Sequence, residues 1–133
     1  MKKLKIITFI ILVFASISCS KDIDNDVITG TWELISLHSD KDISKEKDNT
    51  YTITFTIDNL VSMKLDVNSC SSDYILKGDN EIAFGSFLCT KICCDTEYAN
   101  EFVNIVESAT NVSLFLDKLI LEGDKGKVKL KRK

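Results

Sequence analysis

The chain has no proline and only five glycines in 133 residues. Few positions therefore have the fixed φ of proline or the freedom of glycine to adopt a positive φ, the two backbone properties that favour sharp turns. Turns must come mainly from Asp and Asn, whose short side chains tolerate left-handed backbone conformations. The sequence has a single histidine, His38, and no internal repeat. Because a hydrolytic site needs a nucleophile, a base and a group that orients the base, we assign His38 no role and expect no enzymatic activity.

The chain also has no surplus of cationic residues. It carries 17 Lys and Arg against 20 Asp and Glu, a net charge of −3 at pH 7. Residues 1–18 hold three of the lysines and no acidic residue, so their removal would leave 115 residues with a net charge of −6. Nucleic-acid binding depends on neutralising phosphates, and we therefore expect no nucleic-acid partner. A chain of 115 residues is long enough for one domain with its own core.

The N-terminus has the features of a secretory signal. Lysines at its start precede a nearly continuous apolar run over residues 6–14, which is too short to span a bilayer. Residues 17–20 resemble a bacterial lipobox, in which cleavage precedes a lipidated cysteine. Ser18 has the small size expected before that cysteine, whereas Ser16 replaces the usual leucine. We expect residues 1–18 to be a lipoprotein signal peptide and Cys19 to carry acyl chains such as palmitate; the alternative is ordinary cleavage that leaves Cys19 a spare thiol.

Residues 19–26 form a short polar segment that contains one lysine and three aspartates. The segment is similar to the tethers of Bacteroidota surface lipoproteins, and its plainer interpretation is a solvated linker. We expect an outer-membrane lipoprotein of the cell envelope, anchored through Cys19 and facing either the periplasm or the cell surface. The globular domain is expected to occupy residues 27–133.

Four cysteines remain if Cys19 is lipidated: Cys70, Cys89, Cys93 and Cys94. An even number of thiols in an exported domain favours disulfides. Direct pairing of the neighbours Cys93 and Cys94 would need a strained ring, so two connectivities stay open: Cys70–Cys94 with Cys89–Cys93, or Cys70–Cys93 with Cys89–Cys94. The spacing is neither the C-x-x-C of redox enzymes nor that of common zinc sites, and we expect no metal and no cofactor.

Alternation of apolar and polar residues predicts antiparallel strands. In residues 50–57, Tyr51, Ile53, Phe55 and Ile57 alternate with threonines, which indicates one buried and one wet face. Further strands are predicted at 27–38, 61–67, 74–77, 81–84, 111–116, 119–121 and 127–131. In the first strand, Trp32, Leu34 and Ser36 are expected to share the inner face.

One helix is predicted after the cysteines, with Asp95 or Thr96 as its N-cap. An apolar stripe at helical spacing should pack on the sheet, while Glu101 and Glu107 should face water. Strands on both sides of a single helix predict an α+β, mostly β fold. We expect a strongly curved antiparallel sheet or a small, partly closed barrel, with the helix covering one end.

Four segments in a fixed order carry a family resemblance. Residues 30–34 look like the opening strand of the META domain family, which includes HslJ-like heat-shock lipoproteins. Residues 69–71 fall where that family has Gly-Cys-Asn, residues 90–94 resemble its Thr-Arg-Met-x-Cys segment, and residues 117–121 resemble a later strand. The resemblance covers about residues 27–132. Ser71 and Ile92 replace a family Asn and Met, and Cys89 and Cys93 are additional.

The resemblance implies a small antiparallel β fold with one helix, often in an envelope lipoprotein with links to envelope stress. It also implies that Cys70 and Cys94 pair, because these two match the family's cysteines. We expect a non-enzymatic envelope lipoprotein that binds a protein or another envelope component. The alternative is a lipocalin-like carrier of a small apolar ligand, because residues 30–32 also match the G-x-W start of lipocalins and a barrel can enclose one ligand.

Overall fold

The structure is a computed structural model that describes residues 22–43 and 48–133. The predicted signal peptide, residues 1–18, and Cys19 lie outside the described residues. The described elements, in chain order, are α1 (Asn25–Ile28), β1 (Gly30–His38), β2 (Thr52–Phe55), β3 (Leu60–Lys64), β4 (Ser69–Gly78), β5 (Glu81–Phe84), β6 (Leu88–Cys89), α2 (Glu97–Ser108), β7 (Ala109–Phe115), β8 (Lys118–Gly123) and β9 (Gly126–Arg132).

Eight of these strands form a closed antiparallel barrel. Their order is β3-β2-β1-β9-β8-β7-β5-β4, and pairing of β3 with β4 closes the circle. The two-residue strand β6 pairs with the first part of β4. The predicted mostly β fold with one long helix is thus confirmed, and the barrel is closed. The short helix α1 was not predicted: Asn25 and Asp26 fall in the segment interpreted as tether, and Val27 and Ile28 were wrongly predicted as the start of the first strand, which begins at Gly30.

Large side chains fill the interior of the barrel. Tyr51, Ile53 and Phe55 are buried as their alternation predicts, together with Trp32 and Tyr74. Phe55 and Tyr74 meet edge to face with ring centroids 5.1 Å apart, a favourable arrangement for aromatic pairs. The predicted continuation of the alternation to Ile57 is wrong, because β2 ends at Phe55 and Ile57 lies exposed in the following turn.

The predicted inner face of β1 is also corrected beyond Leu34. Trp32 and Leu34 are buried, but the register with β9 shifts between Leu34 and Ser36. An irregularity of this kind inserts a residue and turns the following side chains to the other face. Leu37, rather than Ser36, therefore packs against the core.

Helix α2 covers one end of the barrel, as predicted. The Thr96 hydroxyl caps it by accepting a hydrogen bond from the Ala99 N–H at 3.2 Å. Its apolar stripe is buried, and Glu107 is exposed as expected. Glu101 was predicted to face water but is buried, because Lys41 reaches it from the loop after β1.

The two ends of the barrel differ in what they carry. We call the end with α1, the start of β1 and the end of β9 the tether rim. The opposite end carries α2 and the residues around β6, and we call it the cysteine rim. At the tether rim, α1 is fixed to the barrel: Ile28 is fully buried, and its carbonyl accepts a 2.7 Å hydrogen bond from the Trp32 indole N–H.

Candidate functional site at the cysteine rim

An open cleft of about 430 Å³ lies at the cysteine rim. One wall is the segment of residues 90–95, which we call the cysteine loop. The other wall is the face of helix α2 that carries Asn100, Val103 and Asn104, and Leu65 and Asn68 also line the cleft.

The Asn68 side chain holds the cysteine loop in place through hydrogen bonds. Its amide nitrogen donates to the Ile92 carbonyl at 2.7 Å and to the Asp95 carboxylate at 2.6 Å. Its amide oxygen accepts from the Thr90 hydroxyl at 2.7 Å and from the Ile92 N–H at 2.8 Å. Asn68 is buried, so these four bonds satisfy a side chain that water does not reach freely. Its amide is therefore a structural element of the cleft rather than a free ligand-binding group.

Two aspartates continue this network toward the helix. The Asp95 carboxylate accepts from the backbone N–H groups of Val67 and Asn68 at 2.9 and 3.2 Å. The Asp66 carboxylate accepts from the N–H and the hydroxyl of Thr96, both at 2.8 Å, and from the Tyr51 hydroxyl at 2.8 Å. The turn between β3 and β4 is thereby joined to the N-terminus of α2.

The same contacts set the acidity of Asp66. Partial burial alone would raise the pKa of its carboxyl, but hydrogen bonds from Thr96, Tyr51 and Asn49 outweigh that effect and hold the pKa below its usual value. Asp66 is thus ionised at neutral pH, and its hydrogen-bond capacity is committed to the fold. It has the environment of a structural carboxylate, not of a proton donor in catalysis.

The cysteines pair differently from both expected connectivities. Cys70 is bonded to Cys89, with 4.0 Å between their Cα atoms, and Cys93 is paired with its neighbour Cys94. The reason lies in the strand register: Cys70 and Cys89 lie directly opposite each other on β4 and β6. The Cys70–Cys94 pairing implied by the family resemblance does not form, because Cys89, which is additional to the family pattern, occupies the position beside Cys70.

The two pairs also differ in their surroundings. Cys70 is buried, whereas Cys93 and Cys94 are both exposed at the edge of the cleft. The described residues contain no cluster of three or more His, Cys, Asp or Glu side chains that could hold a metal ion.

An ion pair between an exposed lysine and a buried glutamate lies on the far side of helix α2. The Lys41 ammonium contacts the Glu101 carboxylate at 2.5 Å, and the Glu101 side chain is 6% exposed. The hydrogen bond from Lys41 lowers the pKa of Glu101, and the bond to Glu101 raises the pKa of Lys41. The pair holds the loop after β1 against the helix, and hydrogen bonds from Asn104 and Ser39 add to the stabilisation of the Glu101 carboxylate.

Exposed apolar side chains lie at the cysteine rim. Leu88 is 78% exposed, Ile92 60% and Val67 47%. Ile92 lines the cleft together with Asn100 and Asn104, and Val67 and Leu88 each directly precede a lining residue in the chain. Apolar borders around polar, hydrogen-bonding groups are typical of surfaces that bind other polypeptides.

The sequence predicted part of this site. The sequence singled out Cys70, Cys89, Cys93 and Cys94, and all four lie at one rim. It predicted neither how these cysteines pair nor that the Asn68 side chain holds the cysteine loop. Asn68 lay in a stretch interpreted only as a polar break. Its signal was weak: an Asn two residues before Cys70, with three further cysteines at 89, 93 and 94. His38 lies exposed near the turn between β8 and β9, away from the cysteine loop.

Among the residues that the structure describes, no helix is long and apolar enough to cross a bilayer. No curated protein matches the chain.

Comparison with solved structures shows the fold. A crystal structure of a DUF4847 family protein from Bacteroides vulgatus is 17% identical, with a TM-score of 0.62; the match covers 80% of this chain and 94% of that one. An NMR structure of a protein from Burkholderia xenovorans is 16% identical, with a TM-score of 0.60 and coverage of 82% and 86%. The sequence model of the META domain matches residues 25–133, which include helix α1 and the whole barrel. The chain therefore belongs to the META domain family.

Proposed function

We propose that the protein is a non-enzymatic lipoprotein of the outer membrane, anchored through Cys19, whose META domain binds a polypeptide segment of another envelope protein at the cysteine-rim cleft. The observation that carries the proposal is the separation of the two rims. The tether leaves the barrel at one rim, and the cleft with its apolar border lies at the other. A protein held by its tether rim presents the opposite rim to partners.

The disulfides support an envelope location. Bonds such as Cys70–Cys89 persist in oxidising compartments and are rare in the cytosol. Together with the signal-like N-terminus and the cysteine at position 19, they favour an exported, lipid-anchored chain. An exported domain of this size also gains stability from a disulfide that closes a loop of 19 residues.

The filled interior weakens the alternative of a lipocalin-like carrier. Such a carrier needs an empty lumen, but here Trp32, Tyr51 and Tyr74 are each at most 1% exposed and occupy that space. A ligand of the barrel interior would have to displace these rings. The cleft at the cysteine rim lies outside the barrel and is open, which suits a peptide better than a small apolar molecule.

The anchor is tested by metabolic labelling with an alkyne analogue of palmitate. We expect the wild-type chain and a Ser20→Ala control to take up the label and to fractionate with the outer membrane. Cys19→Ala should lose both properties. A wild-type chain that is unlabelled, or a Cys19→Ala chain that remains labelled, would refute the anchor.

The cleft is tested separately with photo-crosslinking amino acids in living cells. A crosslinker at Asn100 lies inside the cleft, and one at Ile75 lies on an exposed part of the barrel wall. We expect a discrete protein adduct from position 100 whose crosslinked peptide maps to one segment of the partner, and none from position 75. Equal adducts from both positions, or none from position 100, would contradict the proposed site.

A further inference from the structure

The tether rim carries exposed apolar side chains in a pattern that the fold does not need. The turn between β2 and β3 exposes Ile57 (57%), and Leu60 (55%) is exposed where β3 begins directly after that turn. The turn between β7 and β8 exposes Phe115 (64%) and Leu116 (73%). Both turns lie at the rim where α1 enters the barrel, since Gly30 pairs with Phe55 and Lys118 pairs with Lys131 at the end of β9.

The two apolar turns stand on either side of the tether. In the circular strand order, β2 adjoins β1 and β8 adjoins β9, so the apolar turns flank the point where the chain enters. The third turn at this rim, between β4 and β5, consists of Asp79 and Asn80 and lies farther around the circle. Among the turns of the tether rim, the exposed apolar side chains therefore lie in the two that flank the tether.

One of these apolar residues is placed at a cost to the fold. Leu116 has a φ of 47° and is followed by Asp117 at 62°, so both central residues of this turn are left-handed. Asn and Gly are favoured in such turns, and a large side chain is disfavoured. The β4–β5 turn has two positive φ values as well, but fills them with Asp79 and Asn80. A leucine kept in this position fits a role outside the fold.

The tether is short, and its attachment to the barrel is rigid. The Arg132 guanidinium donates to the carbonyls of Val27 and Thr29 at 2.7 and 2.9 Å and stacks 4.3 Å from the Trp32 ring. Six residue steps separate Cys19 from Asn25, so even a fully extended chain reaches only about 20 Å. The tether rim must therefore stay close to whatever surface holds Cys19.

From these observations we propose that the tether rim rests on the lipid bilayer, with the apolar turns at 57–60 and 115–116 inserted among the lipid headgroups. This inference builds on the proposed lipid anchor at Cys19. The inserted turns contribute an apolar contact: Asp58 lies beside Ile57, and Asp117 is paired with Lys118 at 3.6 Å. Lys131 and Lys133 add positive charge at the same rim, so the test uses an uncharged lipid and varies the salt concentration. Bilayer contact through these turns fixes the orientation of the barrel and directs the cysteine-rim cleft away from the membrane.

The test uses the full lipidated chain in vesicles of phosphatidylcholine, with and without bromine atoms on the acyl chains. Phe115→Trp places a fluorescent reporter at the tether rim, and Leu88→Trp places one at the cysteine rim as a matched control. The native Trp32 is 1% exposed and gives a constant background. We expect brominated lipid to quench the emission added by Phe115→Trp and to leave that of Leu88→Trp unchanged, with no dependence on salt concentration.

We also expect that adding Leu116→Asn to Phe115→Trp abolishes the quenching. Asparagine tolerates the positive φ at this position and removes exposed apolar surface. Equal quenching at both rims, no quenching at position 115, or quenching that salt abolishes would overturn the inference. The mass of the same sample, measured before reconstitution, separates this from the proposed anchor: a chain without acyl groups refutes the anchor, whereas an acylated chain that is not quenched at position 115 refutes only the bilayer contact.

Discussion

Replacement of Asn68 by alanine should loosen the cysteine loop while leaving the barrel closed. The substitution removes four hydrogen bonds, two donated by the amide nitrogen and two accepted by its oxygen. Their partners are the Thr90 hydroxyl, both backbone groups of Ile92 and the Asp95 carboxylate. Three of these bonds are between neutral groups, and the fourth is to a charge.

The expected loss in the free energy of unfolding follows from these contacts. A neutral hydrogen bond contributes about 0.5–1.5 kcal/mol net, and one to a charged group about 1.5–3 kcal/mol. Thr90 and Ile92 are exposed, so water can replace part of what their partners lose. We therefore expect Asn68→Ala to destabilise by about 2–4 kcal/mol, a fall in Tm of about 10–25 °C for a domain of this size.

Urea denaturation followed by far-UV circular dichroism measures this change, with the slope of the transition expected to stay constant. Asn100→Ala is the matched control, because Asn100 is an exposed amide in the same cleft; its effect should stay within about 0.5 kcal/mol. Asn68→Asp adds a second check. This substitution puts a second carboxylate next to that of Asp95. The variant should therefore be less stable than Asn68→Ala at pH 7, and its free energy of unfolding should rise again as the pH falls toward 4 and the carboxylates are protonated.

A loss of less than about 0.5 kcal/mol for Asn68→Ala, or one equal to that of the control, would refute this reasoning. It would mean that the loop keeps its conformation through the disulfides and Asp95 alone. Failure of Asn68→Asp to respond to pH would show that the amide nitrogen does not face Asp95.

Three further outcomes are expected. Trypsin digestion without reduction should give peptide 65–77 linked to 78–91 and a separate peptide 92–118 closed on itself; linkage of all three peptides would mean that Cys70 pairs with Cys93 or Cys94 instead. The pKa of Asp66 is lower in the folded protein than its value near 3.8 in the unfolded chain, so its carboxylate stabilises the fold at pH values above 3.8, and this contribution is lost as the pH falls through the folded pKa. The wild type should therefore lose more free energy of unfolding between pH 7 and pH 3 than Asp66→Asn. Equal losses for the two proteins in urea denaturation would contradict this. Leu116→Asn should raise the free energy of unfolding by about 1 kcal/mol, because asparagine tolerates a positive φ better than leucine; an unchanged or lower Tm would argue against strain at this turn.

Local patterns predicted the elements that local interactions stabilise. The alternation at Tyr51, Ile53 and Phe55 reports one buried face directly, and the structure confirms it. The Thr96 cap and the apolar stripe of α2 were likewise predicted from the sequence, because each depends on residues only a few positions apart. The sequence left open whether the barrel closes, because closure rests on the pairing of β1 with β9, which are about 100 residues apart and which no local pattern reports.

Features that depend on distant residues escaped prediction. Glu101 is buried because Lys41, sixty residues earlier, covers it. The pairing of Cys70 with Cys89 depends on the register of β6 against β4, which strand patterns leave undetermined. Leu37 faces the core only because the register shifts after Leu34. In each case the deciding contact lies in another element.

The pairing of β1 with β9 has a consequence for how the protein folds during its synthesis. Synthesis supplies β1 first and β9 last, yet Leu34 must pair with Leu130 before the sheet can form a cylinder. Every other strand can find a neighbour earlier, but the cylinder stays open until β9 has left the ribosome. Pairings between such distant positions also make folding slow. A nascent chain that lacks β9 therefore cannot close its barrel, and until β9 is available its apolar interior stays accessible to proteases.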